Sequence, residues 1–221
     1  MKISIIIPCH NEEKTIGTVL TNLKALELDT QIIVVNDGST DNTAKVLEEH
    51  EELIDNLIVL SENQGKGAGI RTALDHVTGD IIVIQDADLE YDVNCIPSLV
   101  APIINDAADV VYGSRFLSVD KKGHPINYIT NKFFSWVYAK KTGWKLTDVN
   151  TCQKAFRSQL LSDFSIEEGR FGFELEVTAK LSKFTSRFKE IPITYKPRTK
   201  KEGKHIGFMD GLRDLYLLFI Y

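Results

Sequence analysis

The stretch "GDIIVIQDADLEY", residues 79–91, decides the fold. Ile81 to Ile84 is an unbroken apolar run, so a strand there has both faces covered, as in a parallel sheet packed between helices. Immediately after it come Asp86, Asp88 and Glu90, where like charges repel. Asp86 and Asp88 alternate with Ala87 and Leu89, so an extended backbone would turn their side chains the same way, and Glu90 can join them. Carboxylates held together raise one another's pKa, whereas a divalent cation converts the repulsion into coordination. A hard ion bridging carboxylate and diphosphate is one answer; a solvated acidic loop is the other.

The same pattern repeats outward from this strand. "SIIIP" and "QIIVVND" are apolar runs, with "NEEKTIGTVLTNLKAL" between them as a helix whose Ile16, Val19, Leu20 and Leu23 form one stripe. Thr40 or Asp41 can cap the next helix, "LIVLSEN" is a third strand, and "GIRTALDHV" turns helical. A helix after Asp92 and a strand at "DVVYGSR" continue the alternation, which predicts an α/β domain with a mostly parallel central sheet flanked by helices. In such sheets, ligands bind at the carboxyl ends of the strands, where Asn36-Asp37-Gly38, Asn63 to Gly69 and Asp86 to Glu90 fall.

After Arg115 the pattern changes. "PINYITNKFFSWVYAKKTG" is an aromatic-rich helical segment, "CQKAFR" a short strand, "FGFELEVTAKLSKF" a helix and "RFKEIPITYK" a strand. No linker composition separates the halves, so residues 1–221 read as a single domain. "LRDLYLLFIY" ends the chain on an apolar run too short to span a bilayer, either a helix packed on its own domain or partner, or one lying against a membrane.

A chain of 221 residues with 43% hydrophobic content can bury one sizeable core, and its net charge of -5 argues against a nucleic-acid surface. Cys9, Cys95 and Cys152 are too scattered for a disulfide framework or thiolate metal site and fit a reducing, cytoplasmic setting. His10, His50, His76, His124 and His205 show no metal-binding spacing. Asp37 ends its strand where a carboxylate can accept from a nucleobase or ribose donor, although "DGSTDNT" also reads as turn and cap chemistry. "NQGKGAGIR" lacks the Walker and Gly-x-Gly-x-x-Gly spacings. It offers either glycines for close approach at a helix start, with Lys66 and Arg71 for a diphosphate, or a flexible charged loop. "KPRTKKEGKHIG" carries Lys196, Arg198, Lys200, Lys201 and Lys204 against Glu202; it suits a phosphorylated acceptor, an anionic membrane or plain solvent, and Gly203 and Gly207 would let it move as a lid. Arg115 and Arg170 are further phosphate candidates.

Together, "SIIIPCHNEEKTI", "IIVVNDGSTDNT", "ENQGKGAGIRTAL", "TGDIIVIQDADLEYD", "ADVVYGSRF", "LTDVNTCQKAFR", "RFGFELEVTAKL" and "EGKHIGFMDG" resemble the family 2 inverting glycosyltransferases of GT-A fold. Within these they resemble the branch containing dolichyl- and polyprenyl-phosphate mannose or glucose synthases. The resemblance implies transfer of a hexose from a UDP- or GDP-linked sugar to a polyprenyl phosphate, with Mg²⁺ or Mn²⁺ as cofactor. It implies that Pro8, Glu12, Asp37, Lys66, Arg71 and Asp86 face the nucleotide sugar and that Asp88 and Glu90 hold the metal. Asp86, Asp88 and Asp148 would form the catalytic acidic set, and Arg115, Arg198 and Glu174 the acceptor side.

Residues 1–115 would then be the nucleotide-sugar half and 116–221 the acceptor half, with a membrane-facing C-terminal helix and peripheral contact with the cytoplasmic face. A saccharide or protein acceptor is the alternative, and a non-catalytic nucleotide-binding or scaffold role a second. The chain departs from the pattern at Asn36, where many relatives carry a second Asp. It departs again in "SVDKKGHPINYITNKFF", shorter and less basic than many acceptor loops, although Lys121, Lys122, His124 and Lys132 remain. The C-terminal transmembrane helices of some relatives are not among its 221 residues.

Overall fold

The computed structural model describes residues 1–117, 125–161, 165–170, 172–198 and 208–221, with backbone only at 125–127, 208–212 and 214. Lys121, Lys122 and His124, and the part of the basic run with Lys200, Lys201, Lys204, His205, Gly203 and Gly207, lie outside the described residues.

Strands β1 (Ile3–Cys9), β2 (Thr30–Asp37), β3 (Asn56–Leu60) and β4 (Ile81–Ile84) alternate with helices α1 (Ile16–Lys24), α2 (Thr43–Glu48) and α3 (Lys66–Leu74). There follow α4 (Ile96–Ile104), β5 (Val110–Ser114), α5 (Pro125–Thr142), β6 (Lys154–Arg157), α6 (Phe173–Leu181), β7 (Phe188–Pro192) and α7 (Phe208–Ile220). They form one seven-stranded sheet in the order β3-β2-β1-β4-β6-β5-β7. All neighbours run parallel except β6, which is antiparallel to both β4 and β5.

Because successive residues of a strand face opposite ways, each strand feeds two cores. Ile5, Ile7, Val34 and Val83 pack with the stripes of α1 and α4, while Ile6, Val35, Ile82 and Ile84 pack with α3 and the helices of the second half. Every residue of β4 is buried, as its unbroken apolar run requires. An Ile82→Ala change there removes about 2–5 kcal/mol of stability.

The first helix begins at Ile16 rather than Asn11. Asn11 has a left-handed backbone (φ 55°). Its neighbourhood is laced to the loop after β2: Asn11 Oδ1 accepts from the Thr40 N–H (2.8 Å) and Glu12 N–H donates to Thr43 Oγ1 (2.8 Å). These side-chain bonds replace a helical turn.

Strand direction positions the site. The carboxyl ends of β1, β2, β4, β5 and β7 share one edge of the sheet, and the antiparallel β6 enters from that edge. His10 to Glu13, Asp37, Gln85 to Tyr91, Arg115, Asp148 to Cys152 and Tyr195 to Arg198 are thereby gathered along a single rim.

Candidate active site

At the β2 end, Asp37 is buried and its two oxygens accept the N–H groups of Gln64 and Gly65, each at 2.8 Å. It fastens the loop after β3 to the rim, and each oxygen retains a second lone pair. Gly38 is left-handed (φ 60°), and a Cβ there would lie 2.4 Å from the Glu62 backbone, so the turn requires glycine.

Asp86 follows β4 and faces Lys66, the first residue of α3, at 2.9 Å; Lys66 also reaches Glu174 on α6 at 2.9 Å. Burial pulls the lysine pKa down, but Asp86 and, further down the order, Glu174 more than offset it and keep it well above its ordinary value. The glycines around Lys66 differ in purpose from the expectation of an open phosphate loop. A Cβ on Gly67 would come 2.0 Å from the Glu168 carbonyl oxygen, and one on Gly65 would come 2.5 Å from that of Gly169. Ala68 N–H donates to the Gly169 carbonyl (3.0 Å). The close approach that the glycines permit is to the chain's own backbone. Arg71 lies exposed on the far side of α3, with Nη1 3.3 Å from the Ile166 carbonyl, and is not brought to Lys66. Pro8 sits late in β1 and supports α3, 3.8 Å from where a Cβ on Gly69 would stand.

Asp88 takes a different cation. Arg198 donates to Asp88 Oδ2 (2.8 Å) and grips both oxygens of Glu12 (2.9 and 2.8 Å). Burial first, then the charge of Asp86, pushes the Asp88 carboxyl up to about 7 despite Arg198. The alternation read from the sequence stops short of Glu90, because β4 ends at Ile84 and Leu89 turns the chain with φ 60°. Glu90 consequently faces the segment beyond β7: its oxygens accept from Tyr195 Oη (2.8 Å) and Arg198 N–H (2.6 Å), and its carbonyl accepts from Lys196 N–H (2.8 Å). Residues 195–198 form a strap across the rim.

Arg115 and Asp148 form a sealed pair beside this strap. The guanidinium meets Asp148 through Nε (2.8 Å) and Nη2 (2.7 Å), and the Arg115 backbone N–H adds a third bond at 3.0 Å. Asp148 is fully buried. Glu190 on β7 accepts from the N–H groups of Thr147 and Asp148 at 2.9 Å and fixes the turn that carries the aspartate. The rings of Tyr195 and Phe116 stand 5.2 and 5.7 Å from the guanidinium carbon. Lys154, at the start of β6, is fully buried, donates to the Val149 carbonyl (2.8 Å) and lies 3.6 Å from the centre of the Tyr112 ring.

Sequence reading missed Tyr195, Glu190 and Lys154. Lys154 had a visible signal, a lysine opening a short buried strand; Glu190 and Tyr195 acquire partners only through the fold. Among the described residues no three His, Cys, Asp or Glu side chains converge as a ready metal cage. Asp88 nonetheless suits a divalent ion, because it is a half-buried carboxylate that Asp86 and Glu90 crowd with negative charge and that Arg198 only partly offsets, and substrate oxygens and water can complete the shell. Glu90, expected as a second ligand, directs its oxygens to the strap.

A mostly parallel sheet with this acidic carboxyl rim defines the GT-A class of nucleotide-diphospho-sugar transferases. The chain belongs to glycosyl transferase family 2, whose family model matches residues 4–164. An undecaprenyl-phosphate 4-deoxy-4-formamido-L-arabinose transferase of Proteus mirabilis (strain HI4320) is 29% identical over 211 residues, covering 92% of this chain and 63% of the relative. The enzyme of the same name from Pseudomonas fluorescens (strain Pf0-1) is 26% identical, covering 92% of this chain and 60% of the relative. The chain thus spans less than two thirds of the length of these relatives. Glucosyl-3-phosphoglycerate synthase of Mycobacterium tuberculosis, solved with Mn²⁺, UDP and phosphoglyceric acid, shares the fold at a TM-score of 0.78 and 18% identity, covering 99% of this chain and 78% of that one.

Proposed function

We propose that this chain transfers a sugar from a nucleoside diphosphate sugar to a polyprenyl phosphate, inverting the anomeric carbon and using Mg²⁺ or Mn²⁺. The observation that carries the reading is the pair of carboxylates beyond β4, each set against a cation of the chain itself, Asp86 against Lys66 and Asp88 against Arg198. Likeness along 92% of the chain to transferases named for undecaprenyl phosphate supplies the acceptor class. The fold neighbour solved with Mn²⁺ and UDP supports the metal and the donor class. In this reading residues 1–115 hold the donor and 116–221 the acceptor, except that Glu174 and Arg198, expected on the acceptor side, reach back to Lys66 and Asp88 and act on the donor.

When bound, the cation neutralises charge growing on the leaving diphosphate. Asp88 would hold it, Glu174 anchors the Lys66 that keeps Asp86 in place, and Asp37 would keep the loop after β3 closed against the nucleoside. An acceptor phosphate oxygen attacks the anomeric carbon from the side opposite the diphosphate; one C–O bond forms as the bond to the diphosphate oxygen breaks. The acceptor is already anionic near neutral pH, so no strong base is required, and Asp148 stays engaged with Arg115. The remaining task is orientation by Arg115 and its aromatic neighbours.

The test is product formation from UDP- and GDP-linked sugars, including hexoses and a substituted arabinose, with Mg²⁺ or Mn²⁺ and with or without short polyprenyl phosphate. Lipid-dependent transfer is expected. Donor consumption indifferent to the lipid but stimulated by a saccharide or protein would overturn the acceptor assignment.

A further inference from the structure

Large apolar side chains stand exposed on α5 and α7. On α5, Ile129 (68%), Phe133 and Trp136 (61%) recur at helical spacing along one face, while Phe134 and Tyr138 on the other face enter the core. On α7, Leu217 and Leu218 are buried, whereas Leu215, Tyr216, Phe219 (85%) and Ile220 are exposed. Lys141, at the end of α5, donates to the Leu218 carbonyl, so the two helices are neighbours.

Charge around this face is segregated. On and just after α5, Lys132, Lys140, Lys141 and Lys145 stand with no acidic residue between Pro125 and Thr147, in a chain whose net charge is -5, while the start of α7 carries Asp210 and Asp214 about Arg213. Pairing with a second copy across a two-fold axis would set this cationic face against itself, whereas an anionic lipid surface complements it. Trp, Tyr and Phe beside lysine are the side chains that settle at a headgroup interface. The face is also continuous with the site: Phe116 follows Arg115, meets Tyr128 edge-on at 5.1 Å and lies under Lys132, whose Nζ is 4.5 Å from its ring centre.

We propose that the faces Ile129–Phe133–Trp136 and Leu215–Tyr216–Phe219 dock on an anionic bilayer surface, so that a membrane-embedded acceptor enters past Phe116 and Lys132 toward Arg115. The inference rests on the polyprenyl-phosphate reading for its purpose and on the surface for its evidence.

The chain reports on its own docking, because its two tryptophans differ: Trp136 is exposed, and Trp144 is buried, stacked on Phe188 at 4.3 Å. Vesicles of phosphatidylcholine and phosphatidylglycerol in equal parts should shift the emission to the blue and allow quenching by brominated lipid. Trp136→Phe should erase both signals while the protein still sediments with vesicles. A Phe133→Ser/Trp136→Ser variant should lose about tenfold in vesicle partition per side chain. It should also lose turnover of a long acceptor held in vesicles while keeping turnover of a short, water-soluble polyprenyl phosphate.

Wild-type protein that ignores anionic vesicles, a double variant that binds them equally well, or a dimer dissolved by the double variant without vesicle binding would each overturn the docking face. Turnover of the short acceptor without vesicle binding would leave the reaction standing and remove the docking face. Vesicle binding lost in the double variant, with no turnover of either acceptor, would support the face and remove the reaction.

Discussion

Two clusters of arginine and carboxylate share the carboxyl rim of the sheet, and they are built for opposite purposes. Arg115 and Asp148 are sealed: three hydrogen bonds join them, Asp148 is fully buried, and Glu190 fixes the turn beneath. Arg198 is divided among Glu12, Asp88 and the Glu90 carboxylate that receives its N–H, and it rides on a strap. One carboxylate serves the first arginine and three serve the second. A buried pair that loses one member leaves an uncompensated charge, whereas a divided, partly exposed cation can be exchanged for another. The difference separates an arginine locked in one orientation at the rim, where the proposed reaction has it orient the acceptor, from a counter-ion that the proposed reaction exchanges for metal and substrate charge.

The largest effect belongs to Asp88. Asp88→Asn should leave the strap in place through Glu12 and Glu90 but cut turnover by about a hundredfold to a thousandfold, with loss of Mn²⁺ binding in a relaxation titration. Turnover equal to wild type at all metal concentrations would remove Asp88 from the chemistry. Next is Arg115→Met, which strands Asp148 in a dry environment and should lower unfolding stability by about 3–5 kcal/mol in a urea titration. A variant as stable as wild type would place Arg115 with Arg198 among the exchangeable cations and dissolve the comparison.

Much of the rim formed by β1, β2 and β4 was legible in the sequence. Apolar runs ending in Asp37 and in Asp86 give both a strand and its direction, because the buried part and the polar edge are adjacent in the chain. The stripe Ile16, Val19, Leu20 and Leu23 is buried as its spacing demands. What could not be read depends on contacts distant in sequence. Nothing local in "CQKAFR" says that β6 inserts antiparallel between β4 and β5. Nothing in "NQGKGAGIR" says that Gly65 and Gly67 face the backbone of residues 168–169 rather than a phosphate. The buried carboxylate of Glu176 and the half-buried one of Glu190 are each satisfied by backbone N–H groups from another segment, Glu167 and Glu168 in one case and Thr147 and Asp148 in the other. A residue that looks catalytic by type is, in those two places, a structural acceptor.

A smaller effect probes the floor of the sealed cluster. Burial lowers the pKa of Lys154 from the ordinary 10.5 to about 7. Between those values the unfolded chain binds a proton that the folded chain does not, so wild-type stability rises with pH through that window. Lys154→Met removes the titration. Its stability relative to wild type should therefore be greatest near pH 7 and decline toward pH 10, measured as the difference between two denaturation profiles. Parallel profiles would mean that Glu174 and Asp148 keep the lysine charged throughout.

The finest discrimination comes from Arg198→Met, which should behave unlike Arg115→Met in every respect. The side chain is 20% exposed and shares its charge among carboxylates that water also reaches, so the stability change should stay below about 1 kcal/mol. Removing the cation leaves Glu12, Asp88 and Glu90 to repel one another, and a divalent ion relieves that repulsion in its place. Mn²⁺ should therefore bind the variant several-fold more tightly than wild type in the absence of donor. The KM for the nucleotide sugar should rise about tenfold, because a guanidinium that could turn to the diphosphate has gone. A rise confined to the acceptor KM, with Mn²⁺ affinity unchanged, would move Arg198 to the acceptor side and leave Asp88 without the exchangeable partner that distinguishes the two clusters.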